Sequence, residues 1–105
     1  MAQWDVYPNP SMRSRDDIPY LVDLQSNLLD ALPSRWVAPL ARTRLTPEGV
    51  PRALCPVFSI AGASVVLLPH EAGPIDARLL KRRTDSLLAQ AHEVVAALDA
   101  LVSGF

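Results

Sequence analysis

Few residues of this chain are of kinds that do covalent or metal chemistry, and their spacing argues against it. His70 and His92 are the only histidines and Cys55 is the only cysteine. Neither histidine stands at a ligand spacing from Cys55 or from a carboxylate pair, so no zinc or other metal site is expected. A nucleophilic cysteine needs a basic or positively charged neighbour to hold it as thiolate. Cys55 instead precedes Pro56 in an apolar run, which predicts a buried, inert thiol. His92, beside Glu93 on an apolar-striped segment, reads as a surface helix residue, and His70-Glu71 as a solvated turn. Four scattered glycines make no phosphate-cradling loop. The one dense positive run, Lys81-Arg82-Arg83, reads as a solvated face, with a contact to DNA phosphates as the alternative. No catalytic residue and no cofactor is assigned, and the residues point to a protein that works by binding.

With 105 residues, 50% of them apolar, the chain has room for one core and is expected to be a single domain over residues 1–105. A net charge of -1 gives no overall attraction to nucleic acid or to an anionic membrane. One cysteine cannot form an internal disulfide. With no signal pattern at the start and no apolar run long enough for a bilayer, the expectation is a cytoplasmic protein with no membrane partner.

The elements that must position a binding surface follow from periodicity and from ten prolines, which cut the chain into short extended pieces. Residues 4–7 read as a first strand ended by Pro8-Asn9-Pro10, and residues 11–17 as a polar loop. Tyr20, Val22 and Leu24 alternate with Leu21, Asp23 and Gln25, the period of a half-buried strand. Residues 36–40 and 54–60 are rich in strand formers, but Pro39 and Pro56 predict edge or bulged strands. Residues 61–64 read as a tight hairpin connection into residues 65–68, closed by Pro69. Residues 76–83 suggest one or two helical turns. The apolar stripe Leu87, Leu88, Ala91, Val94, Val95, Leu98, Leu101 and Val102 predicts a helix over residues 85–102. Strands first and a helix last imply an α+β fold, a small antiparallel barrel-like sheet capped by a C-terminal helix. Beyond that helix stand Ser103, Gly104 and Phe105, an aromatic end that suggests a binding tip.

The segment Val22-Asp23-Leu24-Gln25-Ser26-Asn27-Leu28-Leu29-Asp30 followed by Arg35-Trp36-Val37-Ala38-Pro39-Leu40-Ala41 resembles the V-D-x-Q-S-x-x-x-D and R-x-V-x-P-L-A pattern of the CcdB family of toxins. Tyr7, Arg44-Leu45, Leu54, Pro56-Val57 and Ile60-Ala61-Gly62 continue the likeness in order, and it returns at Ala97-Leu98-Asp99 and Gly104-Phe105. The resemblance implies the fold that CcdB shares with MazF, an SH3-like barrel with a C-terminal helix, assembled as a two-fold homodimer. It implies a non-enzymatic toxin of a type II toxin–antitoxin module that binds the A subunit of DNA gyrase, poisons this topoisomerase and is neutralised by a CcdA-like antitoxin. DNA would be met only through the toxin–antitoxin complex, as in operon repression. Carried over by alignment, the gyrase-binding residues are Gln3, Trp4, Tyr7, Ser26, Leu28, Asp99, Ser103, Gly104 and Phe105. Ser103 stands where the family's Trp-Gly-Ile tip carries its tryptophan. The alternatives are a weakened member acting mainly as an operon co-repressor, and a MazF/Kid-like endoribonuclease, which rests on shared fold alone.

Overall fold

The computed structural model of the chain describes residues 2–104. Its strands are β1 (Asp5–Pro8), β2 (Tyr20–Asp23), β3 (Ser34–Arg42), β4 (Val57–Ile60), β5 (Ala63–Leu67), β6 (Gly73–Asp76) and β7 (Asp85–Ser86), followed by the helix α1 (Ala91–Ser103). All pairings are antiparallel, in the order β4-β5-β3-β2-β1-β7 with β6 also beside β3. The sheet curls into a nearly closed, barrel-like form, so the α+β expectation with a C-terminal helix holds.

Strand β3 is not the edge strand that Pro39 suggests. It pairs with β2 on one flank and with both β5 and β6 on the other. The Pro39 carbonyl accepts the Leu68 N–H at 3.1 Å, so its backbone faces the β5–β6 flank. There it falls between Val37, the last residue paired with β6, and Leu40, the first paired with β5. The missing N–H thus sits at the seam where the ladder changes partner, which is how a central strand accommodates a proline. Pro56 conforms to expectation: it directly precedes β4, which lies at the sheet edge. The β4–β5 hairpin closes through Ala61 and Gly62, at φ 50° and 81°, the left-handed pair that a two-residue turn requires.

Strand β2 is buried on both faces, not on one. Val22 and Leu24 join the main core with Val6, Leu40, Leu67 and the helix residues Val94 and Ala97. On the other face Leu21 packs with Tyr7, Val37 and Leu80, while Asp23 is fully enclosed. A further cluster of Ala41, Cys55, Val66 and Leu68 extends that outer layer.

The helix starts at Ala91, later than the stripe suggests. Asp85 and Ser86 are drawn into the sheet against Val6 and Asp5, flanked by bonds from Thr84 N–H to the Val6 carbonyl (2.7 Å) and Leu87 N–H to the Trp4 carbonyl (2.8 Å). Pairing these groups covers the outer edge of β1, which would otherwise stand open. Leu87 then fills the core, and a single 3-10 turn, Leu88–Gln90, leads into α1. Residues 76–83 supply only the 3-10 turn Ala77–Leu79, and the pairing of β6 with β3 was not expected from sequence.

Candidate functional site

The connection from β2 to β3 is held from inside by a buried ion pair. Asp23 and Arg35 are 0% and 1% exposed, and Arg35 Nη2 and Nε reach Asp23 Oδ2 at 2.7 and 2.9 Å. The same guanidinium extends Nη1 to Asp30 Oδ1 at 2.9 Å and Nη2 to the Gln25 carbonyl at 3.3 Å. Gln25 ties the loop to itself, donating from Nε2 to the carbonyls of Leu29 (3.0 Å) and Ser34 (3.1 Å) and accepting the Trp36 N–H at Oε1 (2.9 Å). Burial pushes the Asp23 carboxyl upward, against the Gln25 N–H and Arg35, which draw it down. Such a pair is tolerable only when every donor and acceptor is engaged. Among the described residues no buried side-chain nitrogen or oxygen lacks a partner. Asp23, Gln25, Asp30 and Arg35, which dominate the sequence pattern quoted above, therefore shape a loop. That role was not read from sequence; its signal was an acidic residue inside one strand pattern and a basic residue directly before the next.

The loop presents an apolar surface. Ser26 Oγ accepts the Leu28 N–H at 3.2 Å, and Asn27 Oδ1 accepts the Gln3 N–H at 2.9 Å. Gln3 Nε2 donates to the Leu24 carbonyl at 3.1 Å. Through Asn27 the structure brings Gln3 together with Ser26 and Leu28, and Leu28 is 94% exposed. Leu29, Leu32 and Trp36 are exposed as well.

The helix end forms a second projection. Ser103 Oγ donates to the Asp99 carbonyl at 2.6 Å. Gly104, at φ 79°, closes the helix with its N–H on the Ala100 carbonyl at 2.9 Å, the left-handed cap that glycine provides without strain. Asp99, Ser103 and Gly104 are exposed, and Val102 is 86% exposed. Gly104 and Ala100 border a cleft of about 270 Å³ with Pro51, Ala53 and Leu54. Phe105 lies outside the described residues. Among those described, no hydrogen bond joins this helix end to the Gln3–Ser26–Leu28 group.

Trp4 and Tyr7 sit beneath the surface. Trp4 belongs to the main core, its backbone at φ 75° and held by Trp4 N–H on the Asp23 carbonyl (2.7 Å) and by the Leu87 N–H. Tyr7 is buried on the opposite face, its hydroxyl 3.5 Å from Asp5 Oδ2. Burial first, then the charges of Asp5 and Asp23, raise the Tyr7 phenol. Both rings are buried, so neither presents a surface.

The sparse chemistry-bearing residues are equally plain. His70 and His92 are exposed. Cys55 is buried, and burial pushes its thiol up, away from the reactive thiolate. Among the described residues no group of histidine, cysteine and carboxylate side chains converges as for a metal, and no helix is long and apolar enough to cross a membrane.

Comparison with known families decides what this surface belongs to: residues 3–104, nearly the whole chain, match the family described as CcdB protein. The chain belongs to the CcdB family. It is therefore a toxin of a toxin–antitoxin system, from a family known for non-enzymatic action. Among curated proteins nothing matches it. The barrel-like sheet and terminal helix agree with this membership, and the buried Asp23–Arg35 pair gives the family-like pattern of this chain a physical role.

Proposed function

We propose that this toxin acts by binding the A subunit of DNA gyrase and poisoning the topoisomerase, that a CcdA-like antitoxin neutralises it, and that it works as a two-fold homodimer. The observation that carries this reading is the exposed Leu28, held out on a loop whose underside is fixed by Arg35 and Asp30. An apolar side chain presented on a rigid support loses little conformational freedom on docking, which favours tight binding. The contact set then comprises Gln3, Ser26 and Leu28 on the loop side and Asp99, Ser103, Gly104 and Phe105 at the helix end. Trp4 and Tyr7 act as positioning residues beneath them. A dimer offers every such contact twice, which suits a partner that is itself two-fold symmetric.

Calorimetric titration of a gyrase A fragment with the protein tests this. Leu28→Asp should weaken binding by about 2 kcal/mol, roughly thirtyfold, while leaving the melting temperature unchanged because the side chain is in solvent. Equal affinities for the variant and the parent protein would contradict the assignment of this surface.

A further inference from the structure

We propose that the cleft between the β1–β2 loop and the segment after β6 holds a phosphodiester group of a nucleic-acid backbone, so that this chain contacts polynucleotide directly. This inference stands apart from the gyrase reading, uses none of its residues, and departs from the expectation that DNA is met only through the toxin–antitoxin complex. The cleft measures about 290 Å³ and is lined by Pro8, Asn9, Pro10, Arg15, Leu79 and Lys81. Two cations line it and no carboxylate does.

Arg15 is set in place by a built loop. Its Nε donates to the Asn9 carbonyl at 3.0 Å, and Asn9 is itself pinned: Nδ2 donates to Ser14 Oγ (2.9 Å) and the Ile18 carbonyl (2.8 Å), Oδ1 accepts the Ser11 N–H (3.0 Å), and its own N–H reaches the Pro19 carbonyl (3.0 Å). Asn9 is buried. The Nη groups of Arg15 meet no protein acceptor among the described residues, and neither does the Lys81 ammonium. The nearest carboxylates along the chain, Asp16 beside Arg15 and Asp76 and Asp85 on either side of Lys81, do not line the cleft, and Asp76 is paired with Arg78. A guanidinium fixed at Nε offers its remaining N–H groups as a fork, and a lysine opposite adds a movable point charge, the combination that suits a phosphate.

The surroundings favour a repeating anion over a single one. Arg82 and Arg83 continue from Lys81 past a left-handed turn at Arg82, φ 61°. Arg83 keeps 60% of its side chain exposed even while reaching Asp5. Exposed Arg13 extends the positive residues on the facing loop. Pro8, Pro10 and Leu79 give the cleft apolar walls that a sugar can rest against.

The test is fluorescence anisotropy of short labelled duplexes, DNA in one arm and RNA in the other, titrated with the full chain over a range of salt. Arg15→Gln/Lys81→Gln should weaken duplex binding at least about tenfold at low salt and reduce the salt slope by about 2, one unit per phosphate contact. Lys81→Gln alone, which disturbs no internal hydrogen bond, should reduce the slope by about 1. Arg52→Gln/Arg78→Gln removes the same charge elsewhere and should change binding less than about twofold. The same loss with RNA assigns the cleft to the phosphodiester shared by both; a loss with DNA alone assigns it to the deoxyribose backbone. The proposal fails if both double variants lose affinity equally, if Lys81→Gln leaves the slope unchanged, or if polyglutamate displaces the duplex as well as unlabelled DNA does at equal charge, which would assign the cleft to an acidic protein.

Discussion

Arg35 satisfies two carboxylates and a carbonyl from inside the fold, and its removal is the most costly single change foreseen. Arg35→Met leaves the enclosed Asp23 with only the Gln25 N–H and no cationic partner, and is expected to destabilise by about 3–5 kcal/mol in urea unfolding. Asp23→Leu combined with Arg35→Met should cost much less than the two single changes added together, because neither charge is then stranded; simple additivity would show that the pair is not coupled. Ser103 belongs to this scale as well. Ser103→Trp restores the ring of the family's tip and should tighten binding to a gyrase whose pocket accepts that ring by about 2 kcal/mol, and a titration giving no gain would count against the helix end as a contact. Asp76 illustrates a surface pair. Hydrogen bonds from the Arg78 side chain, then from its backbone N–H, hold the Asp76 carboxyl at about 2 against an ordinary 3.8. The unfolded chain therefore takes up the proton first, so the pair's contribution to stability is complete above 3.8 and is lost as pH falls towards about 2. Carboxyl NMR should find this low midpoint in the parent protein and a higher one in Arg78→Ala; an unmoved midpoint would remove Arg78 side-chain bonding as the cause. The pattern around Asp23 and Arg35 was legible as a family signature, but the ion pair was not, since two residues twelve positions apart meet only after β2 and β3 have paired.

Among the elements, α1 separates what periodicity can and cannot say. The stripe correctly marks a C-terminal helix, but its count of apolar residues exceeds the core that receives them: Val94 and Ala97 are buried, whereas Val95, Leu101 and Val102 are exposed. Val94→Ala should therefore lower stability by about 1–3 kcal/mol, and Val95→Ala by less than about 0.5 kcal/mol, as compared by thermal melts. If the two variants melt alike, the helix is rotated from the position described. The early start expected at residue 85 failed because backbone pairing with β1 competes for residues 85–86, and a local pattern carries no record of a strand edge waiting elsewhere. Pro39 misled for the same reason. Its effect depends on which flank its nitrogen faces and on the seam between β5 and β6, neither of which a one-dimensional rule contains. The β4–β5 hairpin was legible because its cause is local: Gly62 takes a left-handed backbone in a two-residue turn.

At the scale of the whole molecule, the sheet and helix place two kinds of exposed apolar projection on a well-filled interior, Leu28 on one connection and Val102 near the helix end. Family likeness singled out Leu28 and the helix end beyond Val102, whereas the support beneath Leu28, and the burial of Trp4 and Tyr7, emerged only with the packing. Fold and function are separable here. The C-cap at Gly104 ends α1 after Val94 and Ala97 have already been buried, so Ser103 and Gly104 lie outside the core. The central claim, that these projections engage gyrase, is tested most directly by incubating the protein with the gyrase of its own host, supercoiled plasmid and ATP, and measuring linear DNA released on denaturation. The account predicts trapped cleaved DNA with the parent protein and its loss on deleting residues 103–105 or introducing Leu28→Asp, with both variants still folded. Background levels of cleaved DNA with the parent protein, or undiminished trapping by the folded variants, would contradict it.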